Sequence, residues 1–147
     1  MAYSTILVGT DGSRTADRAV EEASRLAGAT GANLVVSCVY AEPTPEELDI
    51  EEGFSDAWHI TAVAQAEDLV VRAREIAARA GVRSEGRTVS SANPGQAIVE
   101  LAEEIGADVI VVGSVGLTGA KRFVLGSVPG HVMHHAGCDV LIARTQG

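Results

Sequence analysis

The feature that most constrains the fold of this chain is the alternation of short apolar runs with stretches of helical periodicity. Runs rich in Val, Ile and Leu are typical of buried strands, whereas apolar residues at i, i+3, i+4 and i+7 are typical of amphipathic helices. Strands separated by helices are joined by right-handed crossovers and form a parallel sheet with helices on both faces. The sequence therefore predicts an α/β protein.

Five strands and four helices are predicted within a single domain that spans residues 1–147. The third strand alternates polar with apolar residues, which favours a position at the edge of the sheet. The fourth strand is apolar throughout, so we expect it to be buried on both faces. The predicted strands are Thr5–Thr10, Asn33–Tyr40, Val82–Val89, Asp108–Gly113 and Asp139–Ala143.

The ends of the predicted helices carry residues that suit helix capping. Ser13 is a suitable N-cap for the first helix, which Gly28 or Gly31 would end. Asn93 and Pro94 open the third helix, since Pro is favoured in the first helical turn. The second helix is marked by apolar positions from 66 to 80, and the fourth runs from about residue 127 to residue 136.

The charge distribution argues against nucleic acid as a partner. The net charge is −9, and most of the excess lies in residues 41–56, which contain seven acidic residues and no Lys or Arg. A protein that binds duplex nucleic acid needs a basic face to displace counterions, and none is visible. No apolar run reaches the roughly 18 residues of a membrane span, and the first residues lack the basic segment of a secretion signal. We therefore expect a cytoplasmic protein with no membrane partner, in which the acidic segment is a lid or, as we favour, a solvated loop.

A doubly wound sheet binds ligands beyond the carboxyl ends of its strands, at the point where the strand order reverses. If the first strand is central, that point lies between the first and fourth strands, which lead into residues 9–13 and 113–116. Both segments are rich in turn-forming and polar residues. We expect the functional site there.

Three spaced glycines, Gly113, Gly116 and Gly126, lie between the fourth strand and the fourth helix, and Ser127 follows the last of them. Glycine lets a phosphate or ribose approach the main chain, and a helix N-terminus directs free N–H groups at an anion. The intervening Lys121-Arg122 pair could also reach phosphate oxygens. Alternatively, the glycines only punctuate a loop and Ser127 caps the helix. The spacing favours phosphate binding, although the Gly-Lys-Ser/Thr junction of a Walker A motif is absent.

Three segments of the chain resemble the nucleotide-binding branch of the universal stress protein family. Val8–Ser13 matches the family's Val-Gly-x-Asp-Gly-Ser sequence, and the spaced glycines with Ser127 match its Gly-x2-Gly-x9-Gly-Ser/Thr sequence. Gly137–Leu141 matches the start of its last strand. The resemblance covers nearly the whole chain apart from residues 41–56. It implies a doubly wound five-stranded parallel sheet of order 3-2-1-4-5, the adenine nucleotide alpha hydrolase-like fold, and binding of an adenine nucleotide, usually ATP.

The resemblance also implies roles for the residues that match the family's motifs. Asp11 would face the adenosine half of the ligand or a phosphate bridged by Mg²⁺ or Mn²⁺, although Asp is also common in such turns for structural reasons. The main chain of Val39 would read the edge of the adenine ring. The predicted cofactor-binding residues are Gly9, Thr10, Asp11, Val39, Gly113, Ser114, Gly116, Gly126, Ser127 and Val128.

Two positions depart from the family's pattern. Pro129 stands where a second Ser is common, which removes a hydroxyl and an N–H that would face the terminal phosphates. Ser114 stands where a longer basic or imidazole side chain is frequent. Both changes weaken the grip on a triphosphate more than on adenosine, so AMP and cyclic AMP are alternatives to ATP.

We expect a stress-response sensor or regulator that binds an adenine nucleotide, with no catalytic residue. The alternatives are a slow metal-dependent ATPase, for which Asp11 is the only candidate to activate water, and a ligand-free dimeric module. The last strand, Asp139–Ala143, is an apolar edge, and we expect it to pair antiparallel with a second copy in a homodimer.

The histidines and cysteines are less informative. His131 and His135 share a helix face at the spacing of two zinc-binding histidines, but no third ligand is evident. The sequence therefore favours a helix surface near the dimer contact, and no metal-binding residue is predicted. Cys38 and Cys138 are too isolated for a zinc site or a disulfide framework, and Cys38 is expected to be a buried packing residue.

Overall fold

Strands and helices alternate along the chain and build one parallel sheet, as the sequence predicts. The computed structural model describes residues 3–41, 54–114 and 126–144, with the backbone alone for residues 54–61. Within these ranges the five strands have the order β3-β2-β1-β4-β5, which confirms the predicted topology. The elements are β1 (Thr5–Gly9), α1 (Arg14–Thr30), β2 (Asn33–Tyr40), α2 (Phe54–Arg79), β3 (Ser84–Ser90), α3 (Pro94–Ile105), β4 (Val109–Gly113), α4 (Ser127–His135) and β5 (Asp139–Ala143).

The central strands are apolar because each buries side chains on both faces of the sheet. In β1, Ile6 and Val8 point toward α1 and α2, whereas Leu7 points toward α3 and α4, and all three are fully buried. A parallel strand covered by helices on both faces has no solvent side, so its sequence shows no alternation. The helix face that α1 lays on the sheet is built mainly from small residues, Ala16, Ala19, Val20, Ala23 and Ala27.

Local capping chemistry sets several helix ends where the sequence places them. The Ser13 hydroxyl accepts a hydrogen bond from the Ala16 N–H at 3.1 Å, and Gly31, with a φ of 75°, ends α1. Gly28 lies within the helix. Asn93 caps α3 by accepting from the Gln96 N–H at 3.2 Å, with Pro94 at the first helical position. These caps direct the first turns of α1 and α3 toward the carboxyl edge of the sheet.

Several predicted boundaries differ from the structure. Strand β1 ends at Gly9 and not at Thr10, β3 ends at Ser90 and not at Val89, and β4 begins at Val109 and not at Asp108. Strand β3 begins at Ser84 and not at Val82, because the Val82 N–H donates to the Ala77 carbonyl at the end of α2, at 2.9 Å. Helix α2 already begins at Phe54, so the acidic segment 41–56 overlaps its first residues, and residues 42–53 lie outside the described residues. Helix α4 ends at His135, and Gly126, not Ser127, is its N-cap.

The two outer strands of the sheet are β3 and β5, which confirms the edge positions predicted for them. Most residues of β3 are exposed, and Leu141 of β5 is 40% exposed. No helix among the described residues is long and apolar enough to cross a membrane.

Candidate functional site

A cleft of about 290 Å³ opens at the carboxyl edge of the sheet, where the strand order reverses between β1 and β4. The ends of β1, β2 and β4 form its floor, and the first turns of α1, α3 and α4 form its walls. Its described lining residues are Gly9, Thr10, Asp11, Ser13, Ala16, Val39, Pro94, Val112, Gly113, Gly126, Ser127, Val128 and Pro129.

The turn after β1 is held by hydrogen bonds that its own residues make. The Asp11 Oδ1 atom accepts from the Ser13 N–H at 2.9 Å, and Thr10 Oγ1 accepts from the Gly12 N–H at 3.1 Å. Gly12 has a φ of 82°, a left-handed conformation that favours glycine. The bond to Ser13 occupies one oxygen of the Asp11 carboxylate. The other oxygen makes no hydrogen bond to the described residues, so it is available to a ligand.

Helix α2 supports this turn from behind. A methyl group added to Gly12 would lie 2.6 Å from Leu69 Cδ2, so the side chain of Leu69 packs directly beneath the turn. Arg72 Nη1 lies 3.5 Å from the Gly12 carbonyl oxygen, and Arg72 also forms an ion pair with Asp17 in the first turn of α1. The position of Asp11 therefore depends on α2 as well as on β1.

Strand β2 presents main-chain groups to the cleft at Val39. The Ser37 carbonyl accepts from the Thr10 N–H, whereas the Tyr40 carbonyl accepts from the Ser91 N–H beside β3. Because main-chain groups alternate in direction along a strand, the N–H and C=O of Val39 point to the β1 side. Val39 pairs with Val89 of β3, but the pairing of β1 with β2 ends at Gly9 and Ser37, so Val39 has no strand partner on the β1 side. There, among the described residues, its carbonyl accepts only a long contact of 4.0 Å from the Cys38 thiol.

The first turn of α4 offers two main-chain donors. The Gly126 N–H donates to the Ser114 carbonyl at 2.9 Å, and the Gly126 carbonyl accepts from Gly130 at 3.0 Å. Among the described residues the N–H groups of Ser127 and Val128 have no acceptor, as expected at a helix start. Pro129, the next residue, has no N–H to add. The Ser127 hydroxyl also lines the cleft and can serve as a third donor.

The cleft combines one carboxylate with the positive ends of three helices. Asp11 is the only charged residue among the described lining residues. Each helix N-terminus carries about half a positive charge, which favours an anion. The field of Asp11 also reaches β2: burial first, and then the Asp11 charge, raises the pKa of the Cys38 thiol to about 11.

Gly113 lines the cleft, and the packing of α1 on β4 also requires glycine at this position. A methyl group added there would lie 2.8 Å from the Thr15 carbonyl oxygen and 3.0 Å from its carbonyl carbon. The first turn of α1 therefore packs directly on the end of β4. Neither Gly113 nor Gly126 has a positive φ, so backbone freedom does not explain the glycine at either position.

The structure brings most of the predicted site residues together. Eight of the ten line the cleft: Gly9, Thr10, Asp11, Val39, Gly113, Gly126, Ser127 and Val128. Ser114 is not a lining residue; its N–H donates to the Ala143 carbonyl at 3.0 Å, and its own carbonyl holds the start of α4. Gly116 lies outside the described residues, as do Lys121 and Arg122.

Five lining residues were not among the predicted binding residues: Ser13, Ala16, Pro94, Val112 and Pro129. Ser13 belongs to the Asp-Gly-Ser turn, and Pro129 follows the glycine motif directly, so their places in these motifs were available signals. Ala16, Pro94 and Val112 reach the cleft only through the packing of α1 and α3 on the sheet. Among the described residues, no group of three or more His, Cys, Asp or Glu side chains is arranged to hold a metal ion.

Comparison with known proteins identifies the family. The sequence profile of the universal stress protein family matches residues 2–144. The universal stress protein Rv1636 of Mycobacterium tuberculosis (strain H37Rv) is 40% identical over 146 residues, which are 98% of each chain. A crystal structure of a universal stress protein in complex with cAMP is 37% identical, with a TM-score of 0.76 over 99% of this chain and 100% of that one. The Archaeoglobus fulgidus universal stress protein in complex with dAMP is 26% identical, with a TM-score of 0.67 over 97% and 98% of the two chains. The chain belongs to the universal stress protein family.

Proposed function

We propose that the cleft binds an adenine nucleotide, and that it prefers one phosphate, as in AMP or cyclic AMP, to the three of ATP. The observation that carries this preference is the first turn of α4, where two main-chain N–H groups are followed by Pro129. The relatives seen in complex with cAMP and dAMP support the proposal, since both of those ligands carry a single phosphate.

The adenine ring would bind beside β2. One edge of adenine offers a hydrogen-bond acceptor at N1 next to a donor amino group. The N–H of Val39 and its C=O, which among the described residues accepts only a long contact of 4.0 Å from the Cys38 thiol, are the matching donor and acceptor on one residue. Because only main-chain atoms of Val39 would bind adenine, its side chain can pack in the core, on the side of the sheet that faces α3 and α4.

The phosphate would bind at the first turn of α4. The N–H groups of Ser127 and Val128 and the Ser127 hydroxyl give three donors, which match the oxygens of one phosphate. Each further phosphate adds negative charge to a cleft that already contains the Asp11 carboxylate. The described lining includes no Lys or Arg to offset that charge.

Asp11 would bind the ribose. A carboxylate repels a phosphate but accepts hydrogen bonds from hydroxyl groups, and its second oxygen is the one available. We predict that Asp11→Asn changes the affinity for AMP by a few-fold only, because the amide oxygen can keep the bond from the Ser13 N–H while the amide NH2 donates to a ribose hydroxyl oxygen. Asp11→Ala should weaken binding about tenfold or more, the effect of losing about 1.5 kcal/mol of hydrogen bonding.

The test is calorimetric titration of the purified chain with AMP, cyclic AMP and ATP, repeated with Pro129→Ser. Serine at this position restores an N–H and a hydroxyl, so we expect ATP to gain about tenfold relative to AMP. Ser127→Ala, which removes a donor used by every ligand, is the matched control and should weaken all three. Circular dichroism and thermal unfolding report whether each variant is folded. If none of the three nucleotides binds to the folded wild-type protein, the proposal is wrong.

We further propose that the protein works as a cytoplasmic stress-response regulator whose nucleotide occupancy is read by its partners, and not as an enzyme. Asp11 is the only carboxylate in the described lining, and one of its oxygens is engaged by the Ser13 N–H. The other oxygen would bind the ribose. A time course of phosphate release from ATP with Mg²⁺ or Mn²⁺ should therefore be flat, and release that Asp11→Ala abolishes would favour the ATPase alternative.

We propose a homodimer formed by antiparallel pairing of β5 with its copy. This strand is an edge of the sheet, and its Leu141 side chain is 40% exposed. An exposed apolar edge strand is a template for pairing. Leu141→Glu should shift the mass measured by light scattering from dimer to monomer. Val71→Glu on α2, where the valine is 53% exposed, is the control and should leave the dimer intact.

A further inference from the structure

Gly95 on α3 and His131 on α4 form a close contact between the two helices beside the phosphate end of the cleft. A methyl group added to Gly95 would lie 2.8 Å from Cβ, 2.9 Å from Cγ and 3.1 Å from Cδ2 of His131. Gly95 is buried, and neither residue is among the described residues that line the cleft. The contact therefore supports the cleft wall from behind.

Both partners of this contact are next to residues of the cleft. Pro94, which precedes Gly95, lines the cleft on the α3 side. On the α4 side, Ser127 and Val128 line the cleft, and His131 follows them by about one helical turn. Because α4 is a single helix of nine residues, a displacement of His131 also displaces the N–H donors of Ser127 and Val128.

The His131 side chain has little freedom to turn away from Gly95. Its ring stacks on that of His135, with centroids 4.1 Å apart and planes within 6°. The Nδ1 atom of His135 is 3.0 Å from the His131 carbonyl oxygen, which can only accept, so this nitrogen donates and holds the His135 ring in place. Rotation about the Cα–Cβ bond would move the His131 ring but leave its Cβ where it is. A side chain at Gly95 must therefore displace α4 itself.

The size of that displacement follows from the contact distances. Nonbonded carbon atoms lie about 3.5–4.0 Å apart at their optimal separation. A methyl group 2.8 Å from His131 Cβ must therefore retreat by about 1 Å. A hydrogen bond of about 2.9 Å that lengthens by this amount leaves the usual range and is largely lost. The donors at the start of α4 would then no longer reach a phosphate whose adenosine half is held by β1 and β2.

We propose that Gly95 and His131 are positioning residues for the nucleotide phosphate. The absence of a side chain at Gly95 lets His131 pack α4 close to α3, which brings the N–H groups of Ser127 and Val128 within reach of the phosphate. This inference rests on the proposed nucleotide function and deepens it. The contact governs the affinity for the phosphate and not for the adenosine half, which would bind on the other side of the cleft.

The test is calorimetric titration of the wild type and of Gly95→Ala with AMP and with adenosine. We expect the substitution to lower the affinity for AMP at least about tenfold, and the affinity for adenosine, which has no phosphate, less than about threefold. Gly130→Ala is the matched control, because it adds the same methyl group to α4 at a position where no described atom lies within 4 Å. This control should bind both ligands as the wild type does.

A second variant separates displacement of α4 from general damage to the fold. His131→Gly removes all three atoms that the added methyl group would meet. In a chain that already carries His131→Gly, Gly95→Ala should therefore lower the affinity for AMP by less than about threefold. Thermal unfolding at one protein concentration reports whether each chain is folded.

The possible results separate this inference from the proposed function. If the folded wild type binds neither AMP nor adenosine, the proposed function fails and the inference fails with it. If the wild type binds AMP and Gly95→Ala binds it equally well, or loses AMP and adenosine in equal measure, only the inference is overturned. A loss of AMP affinity that is as large in the His131→Gly chain as in the wild type also overturns it.

Discussion

The two described glycines of the spaced motif should respond differently to the same substitution. Alanine at Gly113 places a methyl group 2.8 Å from the Thr15 carbonyl oxygen and 3.0 Å from its carbonyl carbon. These are main-chain atoms, so no side-chain rotation relieves the contact, and α1 must move away from β4. Alanine at Gly126 meets no conformational barrier, since its φ of −63° and ψ of 170° are open to any residue.

The magnitudes follow from this difference. Overpacking against an element that cannot yield costs about 1–3 kcal/mol. Alanine is a poorer N-cap than glycine, so Gly126→Ala should cost less than about 1 kcal/mol. With a urea m-value of about 2 kcal/mol per molar for a chain of this size, Gly113→Ala should lower the unfolding midpoint by about 0.5–1.5 M. All chains must be compared at one protein concentration, because dimerisation would shift the midpoint.

Substitution should affect AMP binding more strongly at Gly126 than at Gly113, which is the opposite of the order expected for stability. Gly126→Val places a branched side chain beside the donors of α4 and should abolish AMP binding in a chain that remains folded.

Thr15→Ala should not restore the stability of Gly113→Ala, because the two closest atoms belong to the Thr15 main chain. The reasoning is refuted if Gly113→Ala unfolds at the wild-type urea concentration, or if Gly126→Ala is destabilised as strongly as Gly113→Ala.

Three further predictions follow from two pKa values that the fold raises. Burial, and to a smaller extent the charge of Asp11, raises the pKa of the Cys38 thiol from 9.0 to about 11, so iodoacetamide at pH 8 should label Cys138 before Cys38, as read by peptide mass spectrometry. Because the unfolded thiol ionises first, stability should fall as pH rises from about 9 to about 11, and Cys38→Ala should remove that loss. The Tyr3 hydroxyl donates to Asp139 Oδ2 at 2.8 Å, which raises the pKa of Tyr3; ultraviolet titration should show this pKa return toward its ordinary value in Asp139→Asn.

Most of the fold could be predicted because its determinants are local. Hydrophobic periodicity separates strands from helices, and the handedness of crossovers leaves few topologies to choose from. The caps at Ser13 and Asn93 form bonds within four residues, so they can be identified from the sequence. The errors occur where tertiary packing decides. Val82 is β-branched, as strand residues often are, but it lies between α2 and β3, where it packs against the core of α1 and α2.

The site could be predicted only in part, because a spaced glycine motif combines demands that differ physically. Gly113 is required by a contact with Thr15, nearly a hundred residues earlier in the chain, whereas Gly126 opens a helix toward the cleft. Spacing alone cannot separate packing from ligand access. Pro94 and Val112 enter the lining only because two helices and a strand converge there.

Ser114 has a structural role that no side-chain pattern reveals. Its N–H binds the carbonyl of Ala143 at the end of β5, and its carbonyl binds the N–H of Gly126 at the start of α4. One residue thus links the edge strand, where we propose dimerisation, to the helix whose donors we propose for the phosphate. A side chain larger than Ser is compatible with both bonds, because both use the main chain. The Ser114 side chain therefore departs from the family's pattern, whereas its main chain still makes both hydrogen bonds.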